Sequence, residues 1–253
     1  MDTDQLVHLI VAAACGLIFI TTFLAGDIAG AFIEARWKKR WRAVGAKMGL
    51  AFDGTRRRAH ALSELLLPKI VFPGMKESPF CYGETLKTLK GTVQGFEVVI
   101  TDFLVWDFMV RGPLVFRSTI AIVSGERTEF PAEAHLVRSS STLFRGFASN
   151  RSLRPYDFQA DRAFSLLFTL FGRRESPPWM FNPDLRRFCV KHHRGINSLM
   201  IRPEELVLVW NDSSPDRLPT LLAAAIGLAT RLAESSPQAH ATTESQVRRA
   251  SRN

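Results

Sequence analysis

Cysteine is scarce in this chain, and the few residues present are far apart in sequence. The 253 residues include three cysteines, Cys15, Cys81 and Cys189, with no C-x-x-C pair among them. An odd and sparse set does not build a disulfide framework and suits a reducing compartment. The sequence therefore argues against a small cystine-stabilised domain and against a zinc site made from paired cysteines.

Signature motifs of common enzymes are also missing. The chain contains no G-x-S-x-G, no G-x-x-x-x-G-K-[ST] and no G-x-G-x-x-G. These motifs place a nucleophile, a nucleotide phosphate and a dinucleotide, respectively. The triplet Ser139-Ser140-Ser141 supplies hydroxyls, but nothing in the sequence places a base beside them. No cofactor is expected from these absences.

Long hydrophobic runs are limited to one, from Leu6 to Gly26, where His8 is the only strongly polar residue. At about 1.5 Å per residue this segment covers roughly 31 Å, the thickness of a bilayer core. The run predicts a transmembrane helix over residues 6–26. A cleaved signal peptide or a lipoprotein anchored through Cys15 is disfavoured, because no cations precede the run and it continues well beyond Cys15.

Acidic residues are nearly absent from the segment that follows this run. Between residues 36 and 60, Asp53 is the single acid. The basic residues there are Arg36, Lys38, Lys39, Arg40, Arg42, Lys47, Arg56, Arg57 and Arg58. Because cations favour the cytoplasmic side of a membrane span, the N-terminus is predicted outside and the remainder in the cytoplasm.

The positive charge also indicates a partner. The formal net charge is +9, and cations beside a membrane attract anionic lipid headgroups at about 1 kcal/mol each. The predicted headgroup contacts are Arg36, Trp37, Lys38, Lys39, Arg40, Trp41 and Arg42, since tryptophan suits the interface. Nucleic acid is the less favoured partner, because no recognition motif accompanies the charge.

The pattern of apolar, basic and polar segments divides the chain into five parts. These are an outer N-terminus at 1–5, the transmembrane helix at 6–26, a basic juxtamembrane segment at 27–60, a cytosolic domain at 61–234 and a disordered tail at 235–253. Apolar residues recur at helical spacing from Glu34 to about Leu50. This amphipathic helix lies either on the membrane or on the domain.

Strand patterns dominate the first half of the domain. Leu86–Val93 and Phe96–Phe103 predict a hairpin turned at Gln94-Gly95, and Leu114–Val123 predicts a third strand. A second hairpin is predicted from Ile196–Ile201 and Leu206–Trp210.

Helices are predicted around these strands. Arg57–Leu67 is assigned to one or two helical turns, and residues 163–171 favour a strand because of their aromatics, with a helix as the alternative. Asn182 caps a helix with Pro183 at its first position, and Ser214-Pro215 opens a final helix ending near Ala233. This order predicts an α+β fold, an antiparallel sheet with a C-terminal helix, similar to a pleckstrin-homology-like arrangement.

Three short patterns stand out: Arg40-Trp41 leading to Met48-Gly49-Leu50-Ala51-Phe52, Gly91-Thr92-Val93 with Phe96-Glu97-Val98, and Phe130-Pro131 followed later by Ala163-Phe164-Ser165. Together they resemble a loose group of uncharacterised bacterial single-pass membrane proteins with a cytosolic α+β domain. The resemblance implies a bacterial inner-membrane location and no particular activity.

Candidate chemical groups are few. Cys189, His192 and His193 would share one side of a helix, but a zinc site needs further ligands that the sequence does not supply, so a buried cysteine beside two histidines is favoured. The acid pairs Asp102/Asp107 and Asp157/Asp161 are assigned to strand edges or helix caps.

A basic and aromatic segment between residues 138 and 154 is a second candidate contact. Its members are Arg138, Phe144, Arg145, Phe147, Arg151 and Arg154. Such a mixture can contact a membrane, although an exposed loop whose phenylalanines fold back on the domain is favoured.

Together these features predict a membrane-anchored, non-catalytic domain at the cytoplasmic face that binds a protein partner or anionic lipid headgroups. The alternative is a membrane-tethered enzyme with its site near Cys189, His192 and His193.

Overall fold

The computed structural model describes residues 29–55, 57–59, 81–107, 114–125, 130, 133–140, 153–156, 158–172 and 180–234. The predicted span at 6–26 and the tail at 235–253 lie outside the described residues. Within the described ranges, no helix combines the length and apolarity needed to cross a membrane. The chain divides into two compact units, Met1–Ala43 and Val44–Asn253.

The first described helix, α1, covers residues 29–47. It ends where Gly49 adopts a left-handed conformation with φ of +73°. The Leu50 amide donates to the Gly45 carbonyl at 2.8 Å, which satisfies a carbonyl left over at the helix terminus. The predicted amphipathic helix and its end near Leu50 are confirmed, and residues 29–33, before the predicted start at Glu34, are also helical.

The described strands form one ten-stranded antiparallel sheet. Its strands are β1 (Ala51–Asp53), β2 (Arg57–Ala59), β3 (Cys81–Val93), β4 (Phe96–Asp107), β5 (Leu114–Ser124), β6 (Ala134–Arg138), β7 (Arg154–Tyr156), β8 (Phe168–Gly172), β9 (Ile196–Ile201) and β10 (Glu205–Trp210). Their order is β1-β3-β4-β5-β10-β9-β6-β8-β7, and β2 also pairs with β3.

Both predicted hairpins are confirmed. Strands β3 and β4 pair directly across Gln94-Gly95, where both turn residues have positive φ, 52° and 82°. Positive φ at both central positions is what the tight hairpin turn of type I′ requires. Strands β9 and β10 form the second hairpin around Arg202, and the predicted third strand is β5.

Further helical elements in the described part of the chain accompany the sheet. Helix α2 covers Arg162–Leu167, α3 covers Pro183–Lys191, and a 3₁₀ turn at Pro215–Arg217 leads into α4, Leu218–Glu234. Strand β9 is buried at every position, so both of its faces lie in the core. Helix α4 packs on β5 and β10 through its apolar face, which includes Leu221, Ala225 and Leu228.

Two local predictions differ from the structure. The strand predicted for residues 163–171 is present only from Phe168 on, and a short helix precedes it, because Asp161 caps its first turn and Phe164 is buried from the helix. The helix predicted for Arg57–Leu67 is wrong at Arg57–Ala59, which pairs with β3 as strand β2, and its residues 60–67 lie outside the described residues. The coarse prediction is confirmed: the fold is α+β, with a large antiparallel sheet and a C-terminal helix.

Candidate functional site

The outer surface of α1 combines apolar and basic side chains. Phe32 and Ile33 are 71% and 56% exposed, and Arg36, Lys39, Arg40 and Arg42 are exposed further along the helix. Trp37 and Lys38 are half-buried. Of the predicted headgroup contacts, Trp41 alone is fully buried, so its ring is not presented at the surface.

The structure does not bring the described members of the second candidate contact together. Arg138, at the end of β6, pairs with Phe168 at the start of β8. Arg154, on β7, pairs with Gly172 at the other end of the same strand. The two arginines therefore lie at opposite ends of β8. Phe144, Arg145, Phe147 and Arg151 lie outside the described residues.

Helix α3 separates Cys189 from the two histidines that follow it. Asn182 caps the helix through its Oδ1, which accepts from the Leu185 amide at 2.8 Å. Cys189 is completely buried, and burial raises the pKa of its thiol to about 12. His192 ends the helix and its ring lies 4.5 Å from the Phe188 ring, while His193 Nδ1 is 2.8 Å from the Val190 carbonyl oxygen.

A pocket of about 520 Å³ opens beside this helix end. Five of its lining residues are consecutive, Lys191, His192, His193, Arg194 and Gly195. The other four are Trp210, Asp212, Arg217 and Thr220. We call these residues the basic pocket. The end of α3, the end of β10 and the entry to α4 each contribute to it.

Gly195 and Trp210 are packed against each other in the lining of the basic pocket. A methyl group added at Gly195 would lie 1.9 Å from the Trp210 ring, so the indole occupies the space that a side chain would need. The Asn211 amide donates to the Gly195 carbonyl at 2.9 Å. The backbone after α3 is thereby attached to the end of β10.

Asp212 is held in place by three contacts. Its Oδ1 accepts from the Ser214 amide at 2.8 Å, and its carbonyl oxygen accepts from the Thr119 hydroxyl at 3.1 Å. Its Oδ2 lies 3.6 Å from Arg217 Nε, in an exposed ion pair. Such a pair is weak, because both partners are well solvated.

The remaining charge of the basic pocket is positive. Lys191 and Arg194 are exposed, and neither forms an ion pair with another residue in the described part of the chain. Burial, together with the positive charges of Lys191 and Arg231, holds the pKa of His192 below its usual range. Leaving the histidines aside, the three cations Lys191, Arg194 and Arg217 accompany one carboxylate, Asp212, which leaves an excess of two positive charges.

Two of the nine residues that line the basic pocket could be selected from the sequence. His192 and His193 were selected as candidates, and the run Lys191-His192-His193-Arg194 carries a visible basic signal. Arg217 and Thr220 gave no signal, because they approach the histidines only through the pairing of β9 with β10. The structure removes Cys189 from the site and adds Asp212 and Trp210.

A second group of charged residues is buried within the sheet. Asp102 Oδ2 lies 3.2 Å from Lys87 Nζ and 2.6 Å from an Arg117 nitrogen. Asp102 and Lys87 are fully buried, so the prediction of a strand-edge role for Asp102 is wrong. Asp161 does cap a helix, as predicted. Asp107 ends β4, and Asp157 lies outside the described residues.

Among the described residues, no group of three or more His, Cys, Asp or Glu side chains is arranged to hold a metal ion. Cys189, His192 and His193 therefore do not form a ligand set with a neighbouring described carboxylate.

Comparisons with known proteins give a structural likeness but no sequence match. No protein-family model and no curated protein sequence matches the chain. Among solved structures, the chain is similar to the mycobacterial trehalose monomycolate transport factor A, TtfA, with a TM-score of 0.48 and 7% sequence identity. The match covers 78% of this chain and 93% of that one. Likeness at this level supports no argument about function.

Proposed function

We propose that this chain is a single-pass protein of the bacterial inner membrane that holds a non-catalytic domain at the cytoplasmic face. The apolar segment at 6–26 would span the bilayer, with the N-terminus outside. The α+β domain would bind a protein partner or anionic lipid headgroups, and its sheet with a C-terminal helix would form a pleckstrin-homology-like arrangement.

The observation that carries this proposal is the surface of α1. Phe32 and Ile33 are exposed at the start of a helix that closely follows the apolar segment. Exposed phenylalanine and isoleucine are unfavourable in water but suit the boundary between headgroups and acyl chains. The exposed cations Arg36, Lys39 and Arg40 come next and match the charge of anionic lipids.

The expected strength of this contact is modest. Each cation near an anionic surface contributes about 1 kcal/mol, and the attraction falls off within a Debye length of about 8 Å at physiological salt. Three exposed cations would therefore add a few kcal/mol, which is enough to orient a helix that is already tethered.

A reporter fusion tests the topology. An enzyme that is active only in the cytoplasm, fused after Asn253, should be active, and a periplasm-specific reporter at the same position should be silent. The opposite result would reject the proposed orientation. Extraction of the full chain by alkaline carbonate, without detergent, would reject the membrane span.

Lipid contact is tested on the full chain in nanodiscs containing zwitterionic lipid alone or with anionic lipid. Hydrogen exchange of residues 29–47 should slow when anionic lipid is present, and the triple variant Arg36→Gln/Lys39→Gln/Arg40→Gln should lose this protection. The matched control replaces three exposed cations elsewhere, Lys90, Arg162 and Arg187, with glutamine. Equal loss in both variants would reject a specific role for α1.

A protein partner is the other ligand class in this proposal. Full-length chain solubilised in detergent should retain its partner in a pull-down that is repeated at low and high salt. Failure to recover any partner, combined with no effect of anionic lipid on α1, would reject the binding function as a whole.

The catalytic alternative depends on Cys189 or the histidines beside it. A buried thiol with a pKa near 12 is protonated at neutral pH and is a poor nucleophile. We expect maleimide to modify Cys189 in the folded full chain only after denaturation, as followed by peptide mass spectrometry. Rapid modification of Cys189 by maleimide in the folded chain would support the catalytic alternative, with Cys189 as its nucleophile.

A further inference from the structure

The basic pocket shares no residue with α1 and is built from elements far apart in sequence. Lys191 and Arg194 lie at the end of α3, and Arg217 and Thr220 lie at the entry to α4. We propose that this pocket binds a phosphate group, carried either by a lipid headgroup or by a small soluble molecule. The proposal does not depend on the membrane tether.

The chemistry of the pocket walls matches phosphate better than an uncharged ligand. Two guanidinium groups and one ammonium group supply charge-assisted N–H donors, and the Thr220 hydroxyl adds a neutral donor. The excess of two positive charges around the pocket balances a phosphomonoester, which carries between one and two negative charges near neutral pH. Lys191 and Arg194 make no competing ion pair with another described residue.

The remaining features indicate that phosphate is one part of a larger ligand. A pocket of about 520 Å³ is larger than an isolated phosphate needs and lies in the range of small-molecule sites. Asp212 places a carboxylate beside Arg217, where it can accept a hydrogen bond from a hydroxyl or an amine of the ligand. Glycerol phosphates and phospholipid headgroups combine these groups.

His192 makes the site sensitive to acid. The charged and titratable groups around it are Lys191 at the end of α3, His193 and Arg194 in the following turn, Asp212 and Arg217 in the pocket lining, and Arg231 from α4. Most of these are cations and disfavour the imidazolium. A bound phosphate favours the imidazolium, so binding should strengthen as the pH falls toward the lowered pKa of His192.

The binding experiment uses the full chain in detergent micelles. Calorimetry measures three probes: inorganic phosphate, glycerol 3-phosphate and dioctanoyl phosphatidic acid. We expect the double variant Arg194→Gln/Arg217→Gln to weaken binding at least about tenfold, because it removes both guanidinium groups. The control Arg162→Gln/Arg187→Gln removes two exposed arginines outside the pocket and should bind as the wild type does.

Each outcome decides the proposal. Binding of glycerol 3-phosphate identifies a soluble ligand, and binding of phosphatidic acid alone identifies a lipid headgroup. Failure of all three probes to bind at millimolar concentration overturns the proposal, as does equal weakening by the control. Circular dichroism and thermal unfolding of both double variants establish that they are folded, and the single variant Thr220→Ala provides a milder perturbation with a smaller loss.

A further variant separates this site from α1. Arg36→Gln/Lys39→Gln/Arg40→Gln should leave the affinity for glycerol 3-phosphate unchanged, even if α1 binds no lipid. The acid response is measured by comparing the wild type with His192→Gln at pH 5.5 and 7.5, so that titration of the ligand itself cancels. An equal pH response in both proteins would overturn the role of His192.

Discussion

At the scale of single residues, Asp102 is a fully buried carboxylate in the sheet that needs charged partners to be stable there. It is fully buried in β4 and accepts hydrogen bonds from two cations on the neighbouring strands, Lys87 on β3 and Arg117 on β5. Arg117 binds it in a bidentate manner and remains partly exposed. Charged groups without partners are very unfavourable in a core, so these three side chains stabilise the fold only as a set.

Removing the carboxylate should be far more damaging than removing one cation. We expect Asp102→Ala to lower the free energy of unfolding by about 3–5 kcal/mol, because Lys87 and Arg117 both lose the buried carboxylate that they contact. Lys87→Met should lower it by about 1–2 kcal/mol, since Asp102 keeps its bond to Arg117. The measurement is urea denaturation followed by circular dichroism.

The control for this pair is the double variant Lys87→Met/Asp102→Leu. It leaves neither charge in the core, so it should be more stable than Asp102→Ala alone. A double variant as unstable as the sum of the two single changes would show that Lys87 and Asp102 act independently, contrary to their 3.2 Å contact.

Asp161 combines two roles through its two carboxylate oxygens. Its Oδ1 accepts from the Phe164 amide at 3.2 Å and caps α2, while its Oδ2 accepts from Arg186 Nε at 2.9 Å. The hydrogen bond from Arg186, followed by that from the Phe164 amide, holds the pKa of Asp161 below its usual range even though partial burial opposes this. The carboxylate is therefore favoured in the folded state.

Substitution at Asp161 should separate these roles. We expect Asp161→Ala to destabilise the protein by about 1–2 kcal/mol, and Asp161→Asn by less than about 1 kcal/mol, because asparagine still caps a helix. The unfolded state binds the proton more readily, so the wild-type contribution is present above about pH 4 and is lost as the pH falls through the folded pKa. Thermal unfolding at pH 3 and pH 7 should show a smaller wild-type advantage at pH 3.

At the scale of elements, the hairpin of β3 and β4 has the clearest link between sequence and structure. Gly95 has a φ of +82°, and no heavy atom beyond its neighbours lies within 4 Å of the place where a Cβ would be. Its requirement for glycine is therefore conformational rather than steric. Gln94 also has positive φ, which an ordinary side chain adopts with difficulty.

Two substitutions in this turn should have opposite effects. Gly95→Ala should cost about 1–2 kcal/mol, and Gln94→Asn should stabilise by a few tenths of a kcal/mol, because asparagine tolerates the left-handed region. Lys90→Ala, an exposed change in the same hairpin, serves as the control and should remain within about 0.5 kcal/mol of the wild type. A neutral Gly95→Ala variant would contradict the assigned turn.

Elements with strong local signals could be predicted from the sequence, and those decided by distant packing could not. The turn at Gln94-Gly95, the cap at Asn182 and the apolar face of α4 are visible in single segments. Residues 163–171 were assigned to a strand because aromatic composition does not show that Asp161 caps a helical turn. Arg57–Ala59 became a strand through pairing with β3, which lies well beyond it in the chain.

The same division applies to the basic pocket. Lys191 to Arg194 are contiguous and could be noticed, whereas Arg217, Thr220 and Asp212 belong to other elements. Asp102 is an example of a residue that the sequence placed wrongly: a charged residue in an apolar strand is expected at the edge of a sheet, but Asp102 is buried within it. Its partners Lys87 and Arg117 each lie on a different strand, so only the register shows that the charges meet.

At the scale of the whole molecule, the sheet should behave as one cooperative unit. Nine of its ten strands are joined in a single path, β2 pairs with β3 beside that path, and α4 packs on β5 and β10 in the middle. We expect Leu89→Ala in β3 and Leu136→Ala in β6 each to cost about 2–5 kcal/mol, since both side chains are fully buried. Each variant should shift the same single unfolding transition.

Coincidence of probes tests this expectation. Tryptophan fluorescence and far-UV circular dichroism should report one midpoint for the wild type and for both leucine variants. The exposed change Leu166→Ala, in α2, should leave the midpoint almost unchanged. Two separated transitions, with each leucine variant affecting only one, would show that the two ends of the sheet unfold independently.

The pairing of β5 with β10 has a consequence for synthesis on the ribosome. The hydrogen bond from Thr119 to Asp212 joins residues that are 93 positions apart. At a translation rate of about 5–20 residues per second, the edge of β5 would wait roughly 5–20 seconds for its partner strand. During that interval the nascent chain exposes an apolar strand edge of the kind that aggregates. We therefore expect this edge to be protected during synthesis, either by chaperones or by rapid folding of the β3–β4–β5 meander.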